Sequence, residues 1–450
     1  MNKKDIAEIK RRLKIDKTTI TRLAGCYVSE QKEKITSFTK HFLNLEEDEA
    51  HKYLDLANKA LSGAPGNNLL ELAFASAGAT PPLKHTGETA SSDIAGETAS
   101  SGNDEGTTLS ENAGEIIEMN EPASGMQDLL LALRSSHLED DALLEEFYDR
   151  IIDTYDTVDH YLILLFYDTY DIPIKTTDNL LLGDSDEVYE YLIVCICPVK
   201  LSKGGLGYHP AENNIAPLTR DWTVSPTECG FTFPCFSERS SDIHHLLAYT
   251  KNPKEPPVNF WEMGLQVESR FTATQKRLGF LGLVAKVVGE ESEETPGVLL
   301  DVQQNMHDYA SQKEEAEGQE RPVLLSETDI AEILEDSGLN ETRSTKVASE
   351  YAQIVPAEEL EARDLFEAKA LKNNELRQEK KILQEKVASL SDELLRLGLV
   401  NEDGEIIDIV VRTRPERKNN IETTFIDGRK CIVIPLEEDD TATVNGEEFL

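Results

Sequence analysis

Two continuous apolar runs stand out along the chain. "HYLILLFYDTYDIP" from His160 and "YEYLIVCICPV" from Tyr189 are of strand length and rich in β-branched and aromatic residues. That is the pattern of central strands covered on both faces. Upstream, "TITRLAGCYV" and "KITSFTKHFLNL" alternate apolar and polar positions around the polar turn "SEQKE", which predicts a β-hairpin. Helical spacing takes over elsewhere. Ile6, Ile9 and Leu13 recur along "KKDIAEIKRRLK", and "EEDEAHKYLDLANKALSG" starts with acids and stops at Gly63. "MQDLLLALRSS" and "EDDALLEEFYDRIIDTYD" follow, the second setting Leu144, Tyr148, Ile151 and Tyr155 on one face. The stretch "RDWTVSPTECGFTFPCFSERSSDIHHLLAYT" predicts a short strand, a second strand broken by prolines, and a helix capped near Ser241 or Asp242. His244 and His245 would then point about 100° apart on that helix instead of converging on one ion.

In the last third, "SETDIAEILEDSGLN" carries a capping box at Ser326 and Asp329 and stops at Gly338, and a second helix runs from the cap Asn340 to Pro356. The first of these helices is acidic and the second lacks a basic reading face, so a small helical hairpin is the simpler reading than a DNA-reading helix-turn-helix. Residues 357–398 predict one long helix in which Leu376, Leu383, Leu390 and Leu397 repeat every seven residues. Asn373, Lys380, Val387 and Leu394 precede them by three. Leucine at d, with polar residues at two a positions, is the pattern of a two-stranded coiled coil, and the competing reading is a single helix lying on its own core. Asp427 and Gly428 then form a type I′ turn between two alternating strands. Arg412, Arg414, Arg417, Lys418, Arg429 and Lys430 make this end basic, and such a face more readily meets carboxylates than nucleic acid in so acidic a chain.

Composition divides the 450 residues into 1–78, a Gly/Ser/Thr/Glu-rich linker over 79–124 that repeats "GETASS", a central domain over 125–311, and a polar linker over 312–324. The helical hairpin over 325–356, the long helix over 357–398 and the strand region over 399–450 complete the expected order. The N-terminal helix–hairpin–helix unit is small and is expected to dock on the central domain. A formal net charge of −40 disfavours nucleic acid and anionic lipid as partners. The charged start has no signal-peptide core and the apolar runs are too short to cross a bilayer, so a cytoplasmic location is expected. Six cysteines without a regular framework read as reduced thiols.

Candidate chemistry is sparse. Cys195 and Cys197 share one face of a strand, and Cys229, Cys235 or His209 would have to complete a zinc site, but the spacing is irregular and buried cysteine packs as a small apolar group. "SKGGLG" lacks the Lys-Ser/Thr closure and the helix of a phosphate loop, so its glycines read as a turn leaving the sheet. Asp168, Asp171, Lys200, Arg220 and Asp221 are the polar groups near strand ends that would form an acid/base or ligand site if they met. Nucleophile elbow, Walker, dinucleotide and HExxH motifs are absent from the sequence.

The segments "GCYV", "GNNLLEL", "LLLALRSS", "YLILLFYDTYDIP", "SDEVYEYLIVCICPVKLSK", "RDWTV" with "GFTFPCF", and "IETTFIDGRKCIVI" resemble the bacterial family known as domain of unknown function 4317. The resemblance implies no activity and assigns no catalytic residue. It also implies apolar residues where Cys229 and Cys235 stand, and a shorter linker and charged helix than this chain has. The expected fold is α+β, with a central mixed sheet and flanking helices. The expected function is a non-enzymatic cytoplasmic scaffold or protein-interaction protein that forms a homodimer through Leu376, Leu383, Val387, Leu390, Leu394 and Leu397, with no cofactor. The alternative is a hydrolase or a small-ligand or metal-binding protein with its site at the strand ends.

Overall fold

The computed structural model describes residues 1–75, 125–175, 181–211, 213–237, 239–317, 322–397, 400, 411, 413–438, 443–444 and 447–448. The expected linker over 79–124 lies outside them. The chain divides into two compact units, Met1–Glu367 and Ala368–Leu450.

The first unit begins with α1 (Lys3–Lys10), β1 (Arg22–Val28), β2 (Lys34–His41), α2 (Glu47–Ala60) and β3 (Leu69–Ala73). Next come α3 (Met126–Ser135), α4 (Asp141–Thr154), β4 (His160–Lys175) and β5 (Leu181–Leu201). Short strands then follow as β6 (Leu206–His209), β7 (Asn214–Pro217), β8 (Trp222–Val224), β9 (Cys229–Phe233), β10 (Cys235–Ser237), β11 (Ser240–Asp242) and β12 (His245–Thr250). The helices α5 (Ala273–Val288), α6 (Thr295–Glu317), α7 (Glu327–Asp336) and α8 (Glu341–Ile354) close the unit. One sheet runs β2-β1-β4-β5-β9-β12-β3, with β8 also pairing β5. The hairpin of residues 1–78 is therefore built into the same sheet as the two apolar runs. Its pairs are antiparallel throughout, a correction to the mixed sheet expected.

Period-2 alternation in β4 and β5 explains why both are apolar on both faces. Ile163, Leu165, Leu192, Val194 and Ile196 join the core beneath α3 and α4, with Phe147, Tyr148 and Trp261. Leu162, Leu164, Phe166, Tyr191, Ile193, Cys195 and Cys197 join the core on the other face, with Ile6, Ile9, Leu54 and Ala57 from α1 and α2. Burying each such large side chain contributes roughly 1.5–3 kcal/mol. Gly230 of β9 stands where an added Cβ would lie 2.3 Å from the Val194 carbonyl oxygen, so only glycine permits this strand spacing.

The helix expected after Asp242 is instead strand β12, paired with both β9 and β3. Asp242 does make the local cap-like bond, accepting the His244 N–H at 2.9 Å. Tertiary pairing overrides it, because Leu246 and Ala248 fill one core and Leu247 and Tyr249 the other.

A third core joins α5, α6, α7 and α8 through Phe280, Val302, Met306, Ile333, Val347 and Tyr351. The predicted caps form as read: Ser326 and Asp329 make a reciprocal capping box, and the Asn340 side chain accepts the Arg343 N–H. Two boundaries move. Helix α6 carries on to Glu317, across the first part of the expected 312–324 linker. In place of the start of the long helix, residues 357–367 hold two short 3₁₀ turns, Ala357–Glu359 and Ala362–Leu365, because Leu360, Ala362 and Leu365 are drawn into the third core.

The second unit holds α9 (Ala368–Leu397), the antiparallel pair β13 (Glu422–Ile426) and β14 (Arg429–Val433), and a short pair, β15 (Thr443–Val444) and β16 (Glu447–Glu448). Asp427 and Gly428 have φ of 52° and 80°, the left-handed turn that their sequence predicts. Arg417 reaches its own chain's Glu437 at 3.2 Å, and Arg412 lies outside the described residues.

Candidate functional site

The five strand-end residues split into two groups: Lys200, Arg220 and Asp221 share one end of β5, and Asp168 and Asp171 lie farther along β4. Asp168 stands opposite Tyr191, whereas the other end of the β4–β5 ladder pairs His160 with Val199. Lys200 binds Asp159 at 3.1 Å. Asp159 is nine residues before Asp168, so the two positions are about 30 Å apart along the strand. Asp171 is exposed. Arg220 and Asp221 are also exposed and bond Ser202, through Arg220 Nε to its carbonyl oxygen at 3.3 Å and through Ser202 Oγ to the Asp221 N–H at 2.9 Å. The concavities around Ser135–Ala142 and between β2 and α4 are lined by none of the five.

Asp168 is fully buried and its oxygens already have donors. Oδ1 accepts the Thr169 N–H at 2.9 Å and lies 2.6 Å from the Thr19 hydroxyl, and Oδ2 accepts the Tyr191 hydroxyl. Arg12 donates to Thr19 Oγ1 at 2.8 Å and to the Thr169 carbonyl at 3.2 Å, with its guanidinium 4.2 Å over the Tyr170 ring. Burial raises the Asp168 pKa, and the Thr19, Tyr191 and Arg12 contacts pull against that rise. The cluster ties the segment after α1 to the middle of β4. Three donors from Thr19, Thr169 and Tyr191 converge on the carboxylate, the arrangement of a structural clasp.

The thiols behave as core. Cys195 and Cys197 share a face, as their spacing requires, and Cys235 lies on that side, but Cys229 belongs to the opposite core. Cys195 Sγ points to the Leu56 carbonyl at 3.6 Å, and Cys197 Sγ lies 3.5 Å from Thr227 Oγ1. Burial pushes the Cys197 thiol up to about 12 and Cys235 to about 11, and raises Cys195 well above the ordinary value.

One cluster escaped the sequence reading. Glu71 of β3, Asp242 of β11 and His245 of β12 bring one ligand atom each within 4.8 Å of one another. Only the β3–β12 register, with Leu247 opposite Glu71, unites residues so far apart in the chain. The adjacent Asp242 and His245 were the legible half. Its members have partners of their own: the Met1 ammonium binds Glu71, and His245 Nδ1 lies 2.7 Å from Asp242 Oδ2. Partial burial acts to raise the Asp242 pKa, and the bonds from the His244 N–H and His245 outweigh it, leaving it lowered.

Two surfaces carry clusters of exposed apolar side chains. Beyond β5, the "SKGGLGYHP" stretch becomes the β6–β7 hairpin, where Leu206, Tyr208 and Ile215 are exposed, beside exposed Trp222 of β8. The Trp222 ring sits 4.4 Å from His160, which stacks on Tyr27. On α9, Leu376, Leu383, Val387 and Leu390 are 56–61% exposed and Leu394 and Leu397 are 40% and 42% exposed. Among the described residues, these six side chains share the a and d positions of a 30-residue helix and stay 40–61% exposed, with Ile382 and Leu395 exposed elsewhere on it.

A family model described as Domain of unknown function (DUF4317) matches residues 1–87 and 108–447. The chain belongs to this family. Its match spans both the sheet-bearing unit and α9, so the exposed helix lies within what the family description covers. No curated protein and no solved structure matches the chain. Among the described residues, no helix is long and apolar enough to cross a membrane.

Proposed function

We propose that this family member is a non-enzymatic interaction protein that self-associates by pairing α9 with a second copy. The single observation that carries the reading is the exposed heptad seam of Leu376, Leu383, Val387, Leu390, Leu394 and Leu397. A lone helix with such a stripe leaves apolar area in water that a second copy would cover. The exposed β6–β8 region adds a separate surface suited to a protein partner, with the aromatic residues Tyr208 and Trp222 exposed on it. A cytoplasmic setting belongs to the same proposal, and the buried free thiols Cys26, Cys195, Cys197, Cys229 and Cys235 support it.

Native mass spectrometry and sedimentation of the full-length chain test it. The expected result is a dimer at micromolar concentration that becomes a monomer when Leu383→Asp and Leu390→Asp are combined. A wild-type chain that stays monomeric across that range overturns the proposal.

A further inference from the structure

We infer that the two copies of α9 run parallel and in register, an inference that rests on the self-association proposed above. The residues that flank and interrupt the seam distinguish the possible arrangements. In a parallel pair, each a position faces its own counterpart. Asn373 then meets Asn373, and two side-chain amides satisfy one another, since each carries both donor and acceptor. Lys380 meets Lys380, but each ammonium has Glu379 of the other copy, at the neighbouring g position, beside it. Val387 at a with leucine at the d positions also favours two strands. One like-charge contact, Lys372 against Arg377 in the first heptad, opposes the arrangement.

An antiparallel pair that overlaps the whole seam places Asn373 opposite Leu397 and Lys380 opposite Leu390. Both polar groups then face an apolar partner and lose their complements. The same overlap sets Glu379 against Glu393 and Lys386 against Lys386. Sliding the antiparallel pair by one heptad repairs those charges, because Lys372 then faces Glu393 and Glu379 faces Lys386. It strands Leu394 and Leu397 beyond the partner's seam, however, and still puts Asn373 and Lys380 opposite leucines. Parallel pairing is the arrangement in which every apolar seam residue is covered and both polar a positions are answered. It brings the two Ala368 ends together, so the chain preceding α9 in each copy leaves from the same end of the rod.

Site-directed crosslinking of the full chain decides between these arrangements. In a Cys431→Ser background, which removes the one cysteine that is not buried, Leu376→Cys and Leu397→Cys are made separately. Native mass is read first, then mild oxidation and mass analysis without reductant. In the parallel pair, each variant alone forms a symmetric disulfide-linked dimer. In the full antiparallel overlap, the two thiols of Leu376→Cys lie about 27 Å apart along the axis, and in the slid one about 16 Å, both beyond disulfide reach. Linkage found only when Leu376→Cys is mixed with Leu394→Cys or Val387→Cys overturns the parallel assignment and leaves self-association standing. A monomer in the first reading overturns both. As a second measurement that needs no thiol, Asn373→Val is expected to convert a single dimeric species into a mixture with larger oligomers. An unchanged dimer for that variant removes Asn373 from the seam and overturns the register.

Discussion

Strand β5 and helix α9 are both rich in large apolar residues, yet they end in opposite environments. In β5, Leu192, Ile193, Val194 and Ile196 are fully buried, whereas in α9 Leu383 and Leu390 remain 61% and 59% exposed. The strand lies between β4 and β9 with a helical layer on each side, so its apolar positions from Tyr191 to Cys197 find neighbours within their own unit. The helix presents a two-seventh stripe that the described residues leave exposed. The contrast teaches that apolar density alone does not say whether a segment is enclosed by its own unit. Periodicity is the better guide: a run apolar at every position needs cover on both faces, and a seven-residue repeat needs it on one.

The largest effect that would test this contrast is chemical. A thiol moved from about 9 to about 12, as burial does to Cys197, carries about a thousandfold less thiolate at neutral pH. Alkylation of the native chain at pH 8, followed by peptide mass mapping, is expected to label Cys431 and spare Cys26, Cys195, Cys197, Cys229 and Cys235, with all six labelled after denaturation. Native labelling of Cys195 or Cys197 at the Cys431 rate would break the picture of a closed sheet core.

Truncation measures the same contrast in free energy. Ile193→Ala is expected to cost about 2–5 kcal/mol in denaturant unfolding. Leu383→Ala should stay within about 0.5 kcal/mol in dilute solution while weakening association. Similar losses for both under dilute conditions would place Leu383 in a core.

Removing the buried carboxylate sharpens the account of β4. Asp168→Ala leaves the Tyr191 hydroxyl and the Thr169 N–H without their acceptor, an expected loss of about 1–3 kcal/mol. The pH dependence has a definite sign. Since the folded pKa of Asp168 is raised by burial, its contribution is fully present below the ordinary aspartate value and is lost as pH rises through the folded one. Wild-type stability should therefore carry a falling component above about pH 4 that Asp168→Ala lacks. Identical pH profiles would show that the clasp does not titrate in this way. The smallest effect belongs to the caps: Ser326→Ala should cost about 1 kcal/mol, seen as a lower unfolding midpoint with an unchanged slope.

Local signals were legible where the physics is local. The box at Ser326 and Asp329, the cap at Asn340 and the turn at Asp427 and Gly428 need only neighbouring residues, and each forms as its sequence indicates. The Asp242 signal misled for the same reason: its side chain bonds the His244 N–H as a helix cap would, but the chain continues into a strand held by β9 and β3. The strand-end set of Asp168, Asp171, Lys200, Arg220 and Asp221 is divided by the register, which keeps Lys200, Arg220 and Asp221 at one end of β5 and sets Asp168 and Asp171 farther along β4. Residue type alone does not carry that division. Glu71 could not be joined to Asp242 and His245 before β3 was known to sit beside β12.

By itself, then, the sequence determined the two central strands, the helix faces, the caps, the final hairpin turn and the heptad seam, because periodicity and short-range hydrogen bonds are written in adjacent residues. Tertiary structure alone decided that residues 1–75 and 125–250 share one antiparallel sheet, that the segment after Asp242 is a strand, that Asp168 is a buried clasp and that Glu71 meets His245. Each of those depends on which strand lies beside which. Pairing between strands far apart in the chain joins residues that no local pattern links, unlike the hairpins β1–β2 and β13–β14.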